Sequence, residues 1–342
     1  MLKTQILASE SIGDLYFGQL HPYHQDFFGE KFGQHTRIRL RDLPHYTLWR
    51  DGEYENPETS DYYRYLEGSW RFYCPDNNTH ERRLEKIDNF IALREDIEKN
   101  GVIEPVRLVV ARDGAKIIID GNHRASLAYH LGIDIPCRYL RLKSVIKQIV
   151  HNKDEFYGTM QQDRPYQSIF DGGKEIIKGR RRDIFKRFKK MDIPNDIRGK
   201  TIADVGSNIA MNAMLAWYFG ARESTAFEFS EKIASSALRL STILNNRINV
   251  HVHDLGNPIL VPKSFDTVFC FSLYAHVGDK EVLERNIERI TKNTLYFEGH
   301  ENTEQSEYAH IFQHFRKTEL LGYNDDGIHS SKATRPFFRC LK

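Results

Sequence analysis

Ten residues, Thr201 to Ala210 (TIADVGSNIA), constrain the fold of this chain more than any other stretch. Thr201–Val205 has the length and apolar character of a buried strand, with Asp204 near its end. Gly206 permits a sharp turn and a close approach by a ligand, because it has no Cβ. A helix is expected over Asn208–Phe219, and its start offers unpaired N–H groups to an anion. A strand, a glycine turn and a helix in that order form a nucleotide cradle at the carboxyl end of a strand, where open α/β sheets bind ligands. The pattern departs from G-x-G-x-x-G, since Asn208 and Ala210 fill the second and third small positions.

The residues that follow repeat the theme. Ser224–Phe229 is a second apolar strand carrying Glu228, an acid placed to accept from both hydroxyls of a ribose. Glu231–Asn245 has helical spacing, Asn249–Asp254 is a third strand ending in an acid, and Phe265–Phe271 is a fourth. A helix over Val282–Ile290 leads to a fifth strand, Asn293–Glu298. Glu304–Phe315 reads as helix, and the strand-like runs Thr318–Gly322 and Pro336–Leu341 close the chain. Alternating strands and helices predict a parallel, doubly wound sheet.

At 342 residues and 40% hydrophobic content, the chain can bury two cores. Forty-nine Lys+Arg against 47 Asp+Glu leave a net charge of +2, which is no whole-chain signature of nucleic-acid binding. Cys74, Cys137, Cys270 and Cys340 form no C-x-x-C pair. Cys137 and Cys270 lie in apolar runs, so buried free thiols in a reducing cytoplasm are expected. No apolar run is long enough to span a bilayer, and no signal-peptide pattern is seen.

Taken in order, Met1–Glu30 is rich in aromatics without periodicity. Thr36–Leu40 alternates charged and apolar residues as a half-buried strand does. Tyr62, Tyr63, Tyr65, Trp70, Phe72 and Tyr73 form an aromatic run that reads either as a stacking surface or as an irregular packed layer. A helix is expected over Glu85–Asn100, stopped by Gly101. Val106–Val110 and Lys116–Ile119 are strands. Asp120, Gly121, Asn122, His123 and Arg124 then lead into a helix over Ala125–Leu131, and Ile135–Leu140 resumes as a strand. The tight turn at Gly121, the helix start and the side chains of His123 and Arg124 make a candidate phosphate site, with Asp120 able to position a metal or polarise His123. Further on, Arg180, Arg181 and Arg182 with Arg187, Lys189 and Lys190 form a basic stretch. It reads as a solvated helix face or as a grip for an anionic acceptor.

Two resemblances follow from these motifs. Gly199–Lys342 resembles a class I S-adenosylmethionine-dependent methyltransferase, with DVGSN at the place of that family's glycine motif and FDTVFCFSLYAHV as its fourth strand and loop. The resemblance implies a Rossmann-like seven-stranded sheet. It places Asp204, Gly206, Ser207 and Asn208 beside the methionine part of S-adenosylmethionine, Glu228 at the ribose, and Asp254 with Leu255 at the adenine. His276, Glu298 and His300 follow strand ends beside the expected cofactor mouth and are candidate bases, with Tyr274 and Arg180–Arg182 as acceptor contacts. YQSI, the glycine turn and RGKTIADVGSN resemble the leading segment of methyltransferases from surface-polysaccharide pathways. Thr36–Leu142 resembles the DGNHR-bearing branch of ParB/sulfiredoxin-like domains on IDGNHRASLAYHLGIDIPC, which implies a small α+β domain. Members of that branch include CTPases, nucleases and kinases, so ATP or another nucleoside triphosphate with Mg²⁺ is an expected ligand there, with Asp120, His123 and Arg124 as catalytic candidates and Gly121–Arg124 as phosphate ligands.

The expected organisation is a ParB-like domain at 1–150, a linker and basic arm at 151–198, and a methyltransferase at 199–342. Three readings remain open: a bifunctional kinase and O-methyltransferase acting on a glycan, phosphate or small-molecule acceptor; a nucleic-acid modifying protein; and a methyltransferase with a non-catalytic regulatory first domain. The near-neutral charge weighs against nucleic acid. His251/His253 and His310/His314 have ligand-like spacing but no further ligands in sequence, so no resident metal is expected. The sequence does not indicate an oligomeric state.

Overall fold

Two sheets, each carrying one of the glycine turns, organise the chain. The computed structural model describes residues 4–32, 36–151, 165–181, 184–259, 263–300, 303–324 and 335–342. It divides into one unit of Met1–Gln148 with Thr242–Asn245, and a second of Ile149–Ser241 with Asn246–Lys342. Within the stretch expected as a linker, the described residues 165–181 and 184–198 carry regular structure.

The first unit contains β1 (Thr4–Leu7), β2 (Tyr16–Phe17), α1 (Gln25–Phe32), α2 (Pro44–Arg50), α3 (Asp61–Tyr73), α4 (His80–Asn100), β3 (Val106–Val110), β4 (Lys116–Asp120), α5 (Asn122–Leu131), β5 (Ile135–Leu140) and most of α6 (Leu142–Val150). The sheet runs β1-β5-β3-β4-β2, with β3 parallel to β5 and antiparallel to β4. Thr36–Leu40 is not the expected strand. Its possible partner, β2, has only two residues, so pairing stops at one bridge between Tyr16 and Arg39. The aromatic run is not an irregular layer. It is the helix α3, capped by Ser60 and burying Tyr62, Tyr65 and Leu66 at helical spacing.

The second unit contains β6 (Ile169–Asp171), β7 (Lys174–Ile177), α7 (Ile184–Lys190), α8 (Ile193–Asp196), β8 (Thr201–Val205), α9 (Met211–Tyr218), β9 (Glu223–Glu228), α10 (Glu231–Leu244), β10 (Ile248–Val252), β11 (Phe265–Phe271), α11 (Lys280–Ile290), β12 (Thr291–Glu298), α12 (Ala309–Phe312), β13 (Lys317–Asn324) and β14 (Arg335–Leu341). The seven-stranded, Rossmann-like sheet runs β10-β9-β8-β11-β12-β14-β13. Strands β8 to β12 are parallel, but β14 runs antiparallel to both β12 and β13. The sheet is therefore mixed rather than wholly parallel. All five residues of β8 are buried. Packing of β8, β11 and β12 against α11 and α12 forms one apolar core through Ala203, Val268, Leu283, Leu295 and Phe312.

Strand order reverses between β8 and β11, the topological switch point of an open α/β sheet. The register aligns Cys270 with Val205 and Phe271 with Glu298, so the residues after these strands share one edge. Cys137, Cys270 and Cys340 are buried free thiols. Among the described residues no helix is long and apolar enough to cross a membrane.

Candidate functional site

At the carboxyl edge of the second unit's sheet, the turn after β8 takes three left-handed residues: Gly206 at φ 68°, Asn208 at 54° and Ala210 at 57°. These delay the helix, so α9 begins at Met211 rather than Asn208. Gly206 does face a close neighbour, but that neighbour is protein: a Cβ there would lie 2.6 Å from Leu273 Cδ1. Glu228, buried at the end of β9, accepts from the backbone N–H groups of Asn208 (2.8 Å) and Ser230 (3.1 Å). These bonds tie the glycine turn to the second strand's acid. Ser207 is buried, and its N–H is spent on the carbonyl of Phe227. Leu255 is buried after β10, while Asp254 is exposed and caps its own turn through Gly256 N–H at 2.9 Å. Phe229, the residue after Glu228, is 48% exposed, a position the sequence reading passed over because the strand was expected to include it.

Beside this turn lies a buried ionic cluster. Glu298 is fully buried and accepts from Arg187 at 2.7 Å, Arg181 at 2.9 Å, Asn324 at 2.9 Å and the Ser272 hydroxyl. Ser272, at φ 53°, also accepts from Arg335 at 2.7 Å. Burial alone would raise the Glu298 carboxyl, but the two guanidiniums hold it below the ordinary carboxylate range. A carboxylate so held is a poor proton acceptor, and the expectation of Glu298 as a base is corrected. The same pairing corrects Arg181, which is an internal counterion rather than an acceptor grip. Arg180 is half-buried, and Arg182 lies outside the described residues. Arg187, expected on a solvated face or in an anion grip, is buried instead. Its neighbours Ile184 and Phe188 are buried with it, so the apolar spacing of α7 was the available signal. Asp204 is buried among these groups. Burial pushes its carboxyl up to about 7, against the pull of bonds from Ala213 N–H and Asn212.

A cavity of about 40 Å³ remains, lined by Asp204, Gly206, Asn208, Arg187, Leu273 and His276 among others. That is small beside the roughly 300–1,000 Å³ of ordinary small-molecule sites. His276 borders it on the short 3-10 helix after β11, 5.4 Å ring to ring from His300. Its ring has no hydrogen-bond partner among the described residues, and burial and Arg335 lower its pKa. His300 already accepts the Ala275 N–H at Nε2 (2.9 Å), and burial lowers it to about 4. Tyr274 sends its hydroxyl to Glu284 at 2.9 Å, so it is oriented by α11. His253 contacts the Asn257 carbonyl and His314 pairs with Glu288. Among the described residues no three His, Cys, Asp or Glu side chains gather to hold a metal ion.

In the first unit, the turn Asp120–Arg124 borders a cleft of about 520 Å³. Gly121 takes φ 98° and caps α5, which starts at Asn122 instead of Ala125. Arg124 pairs with Glu104 and reaches Asp120 at 3.4 Å; Asp120 also lies 3.8 Å from Arg107. The guanidinium expected to grip phosphate is thus engaged by carboxylates. His123 sits edge-on to Phe90 at 4.5 Å and bonds Tyr62 at 2.5 Å, and burial pushes its imidazole down to about 3.

No protein-family model matches the chain, and no curated protein matches it. Among solved structures, it is similar to the magnesium protoporphyrin IX methyltransferase of Synechocystis PCC 6803 with bound SAM, at 13% identity and a TM-score of 0.41, covering 58% of this chain and 97% of that one. It is similar to the bifunctional kinase-methyltransferase WbdD at 16% identity and a TM-score of 0.39, covering 46% of this chain and 40% of that one. A putative RNA methyltransferase from Pyrococcus horikoshii is similar at 14% identity and a TM-score of 0.35, covering 46% of this chain and 81% of that one. Likeness at this level identifies no activity or substrate.

Proposed function

We propose that the second unit is an S-adenosylmethionine-dependent methyltransferase of the class I type. The observation that carries this reading is Glu228, a buried acid at the end of β9 that holds the glycine turn of β8 beside the sheet's switch point. The donor set fits the cofactor: the Glu228 carboxylate suits ribose hydroxyls, and the exposed Phe229 with Leu255 suits an adenine ring. Leu273 stands over Gly206, so binding requires that side chain to turn aside. When bound, the cofactor supplies an electrophilic methyl group. The chain's own work is to orient the acceptor and, for a hydroxyl acceptor, to take its proton.

His276 is the base in this reading. Its lowered pKa keeps the imidazole neutral at pH 7, and its ring borders the cavity. Arg181, Arg187 and Glu298 set the position of the loop after β11 through Ser272. Arg180 remains the candidate contact for an anionic acceptor, such as a glycan phosphate. Titration calorimetry of the full chain with S-adenosylmethionine tests the reading. Binding that is lost in Glu228→Ala supports it, whereas no binding at millimolar cofactor removes it.

For the first unit, the reading is a ParB/sulfiredoxin-like nucleotide-binding module, supported by the large cleft at the DGNHR turn. A phosphotransferase activity with Mg²⁺ would require Asp120 to exchange Arg107 and Arg124 for the metal. Nucleotide binding with and without Mg²⁺ measures that step directly: affinity independent of Mg²⁺ leaves a sensor rather than a kinase.

A further inference from the structure

We propose that the first unit's cleft reads the ring of a nucleotide, not its phosphates, at the DGNHR turn: Asn122 and His123 form a neutral acceptor–donor pair for a nucleobase edge, and Trp70 stacks the ring. The inference rests on the reading of this cleft as a ligand site, and it reverses the orientation that the motif suggests.

The acceptor is fixed by a relay. Gln19 Nε2 donates to the Ile119 carbonyl at 2.8 Å, so Gln19 Oε1 is the acceptor for Asn122 Nδ2 at 3.1 Å. Asn122 therefore presents Oδ1, which is buried and has no hydrogen-bond partner, in a residue only 5% exposed. A buried acceptor without a partner needs a donor, which water or a ligand can supply. The donor is assigned from a second contact. Tyr62 is fully buried, and its hydroxyl has His123 Nε2 as hydrogen-bond partner at 2.5 Å. With the phenol donating there, the imidazole proton stands on Nδ1. Asn122 and His123 are consecutive residues on the first turn of α5, and both line the cleft, the first offering a C=O and the second, in that tautomer, an N–H. A base edge with adjacent N–H and carbonyl or ring nitrogen is complementary to that pair.

The remaining walls agree. Trp70 lines the cleft half-exposed and stacks on no other ring among the described residues; Leu93 also lines it. An aromatic face of this kind holds a base by stacking. Lys86, exposed at the cleft, has no carboxylate partner among the described residues and suits the ligand's phosphate. Arg124 does not, because Glu104 and Asp120 hold it.

Calorimetry on the full chain should use the four nucleoside 5′-monophosphates, their nucleosides, ribose 5-phosphate and inorganic triphosphate. At least one nucleotide should bind tenfold or more tightly than ribose 5-phosphate. Asn122→Leu should cost tenfold or more for nucleotide and nucleoside alike, whereas Lys86→Ala should weaken the nucleotide alone. In the ligand-free protein, ¹⁵N spectra should show His123 protonated at Nδ1, and Tyr62→Phe should change that tautomer ratio while the fold is retained. If triphosphate and ribose 5-phosphate bind as tightly as nucleotides and Asn122→Leu changes nothing, the turn grips phosphate. The proposal is then overturned while the ligand-site reading survives. Absence of binding by every probe at millimolar concentration overturns both, and a His123 protonated at Nε2 overturns the donor assignment.

Discussion

Gly206 shows how one residue can carry two constraints. Its left-handed backbone disfavours any side chain by about 1–2 kcal/mol, and a Cβ would also press on Leu273. Gly206→Val should lower the melting temperature and abolish cofactor binding; a variant that melts normally and binds normally would remove the turn from the site. Leu273→Ala should do the reverse for the ligand. Removing part of a half-buried side chain costs about 1–2 kcal/mol of stability but opens the cavity, so calorimetry should show tighter cofactor binding. Glu298→Gln leaves two buried guanidiniums without their countercharge and should destabilise the fold by about 3–5 kcal/mol in denaturant unfolding. His276→Ala should leave stability unchanged and reduce turnover on a hydroxyl acceptor by roughly 10²–10⁴. Because the wild-type base works deprotonated and its pKa is lowered, the rate should rise with pH through a midpoint below pH 6.5. An alanine variant of undiminished rate would exclude the role.

At the scale of elements, the start of α9 is the weakest join. Ala210 caps it at φ 57°, a conformation in which alanine is strained and glycine is not. Ala210→Gly should therefore stabilise the protein by about 0.5–1 kcal/mol, read as a raised melting temperature, even though glycine costs more chain entropy. A fall would show that the methyl group's packing outweighs the backbone strain. The helix α3 teaches a related lesson. Tyr62, Tyr65 and Leu66 recur at helical spacing, but Tyr63 between them and Trp70, Phe72 and Tyr73 after them hide that period among further aromatics. Only the cap at Ser60 and the packing of one face select helix there.

Across the whole molecule the two units should respond differently to acid. His21, His24, His45 and His123 are held neutral in the first unit, by burial first of all. Unfolded, each takes a proton below about pH 6.5, so each lowers stability by about 1.4 kcal/mol per pH unit as pH falls below that value. In the second unit, Asp204 has the opposite sign. Its folded pKa of about 7 lies above the ordinary 3.8, so its burial penalty is full above pH 7 and fades as pH falls toward 4. His300, lowered to about 4, works against that gain over pH 6.5 to 4. Hydrogen exchange on the full chain at pH 7.5 and pH 5 should show the first unit losing protection first. Earlier opening of the second unit would contradict the balance.

The strand–turn–helix at Thr201–Tyr218, the acid at Glu228 and the strands Phe265–Phe271 and Thr291–Glu298 were legible because local spacing encodes them. Buried strands are continuous apolar runs, and turns that need positive φ draw glycine or asparagine. The second glycine turn was legible for the same reason. What no spacing encodes is which side chain a buried charge will meet. Arg181 and Glu298 are 117 residues apart, and only the closed sheet makes them a pair. That pairing turns a candidate base into a structural anion and a candidate grip into its counterion. Leu273 over Gly206 and the Gln19–Asn122 relay, 103 residues apart, are likewise products of the tertiary fold. Local patterns choose the elements because they act over a few residues; burial decides protonation and pairing because it depends on every element that closes around a group.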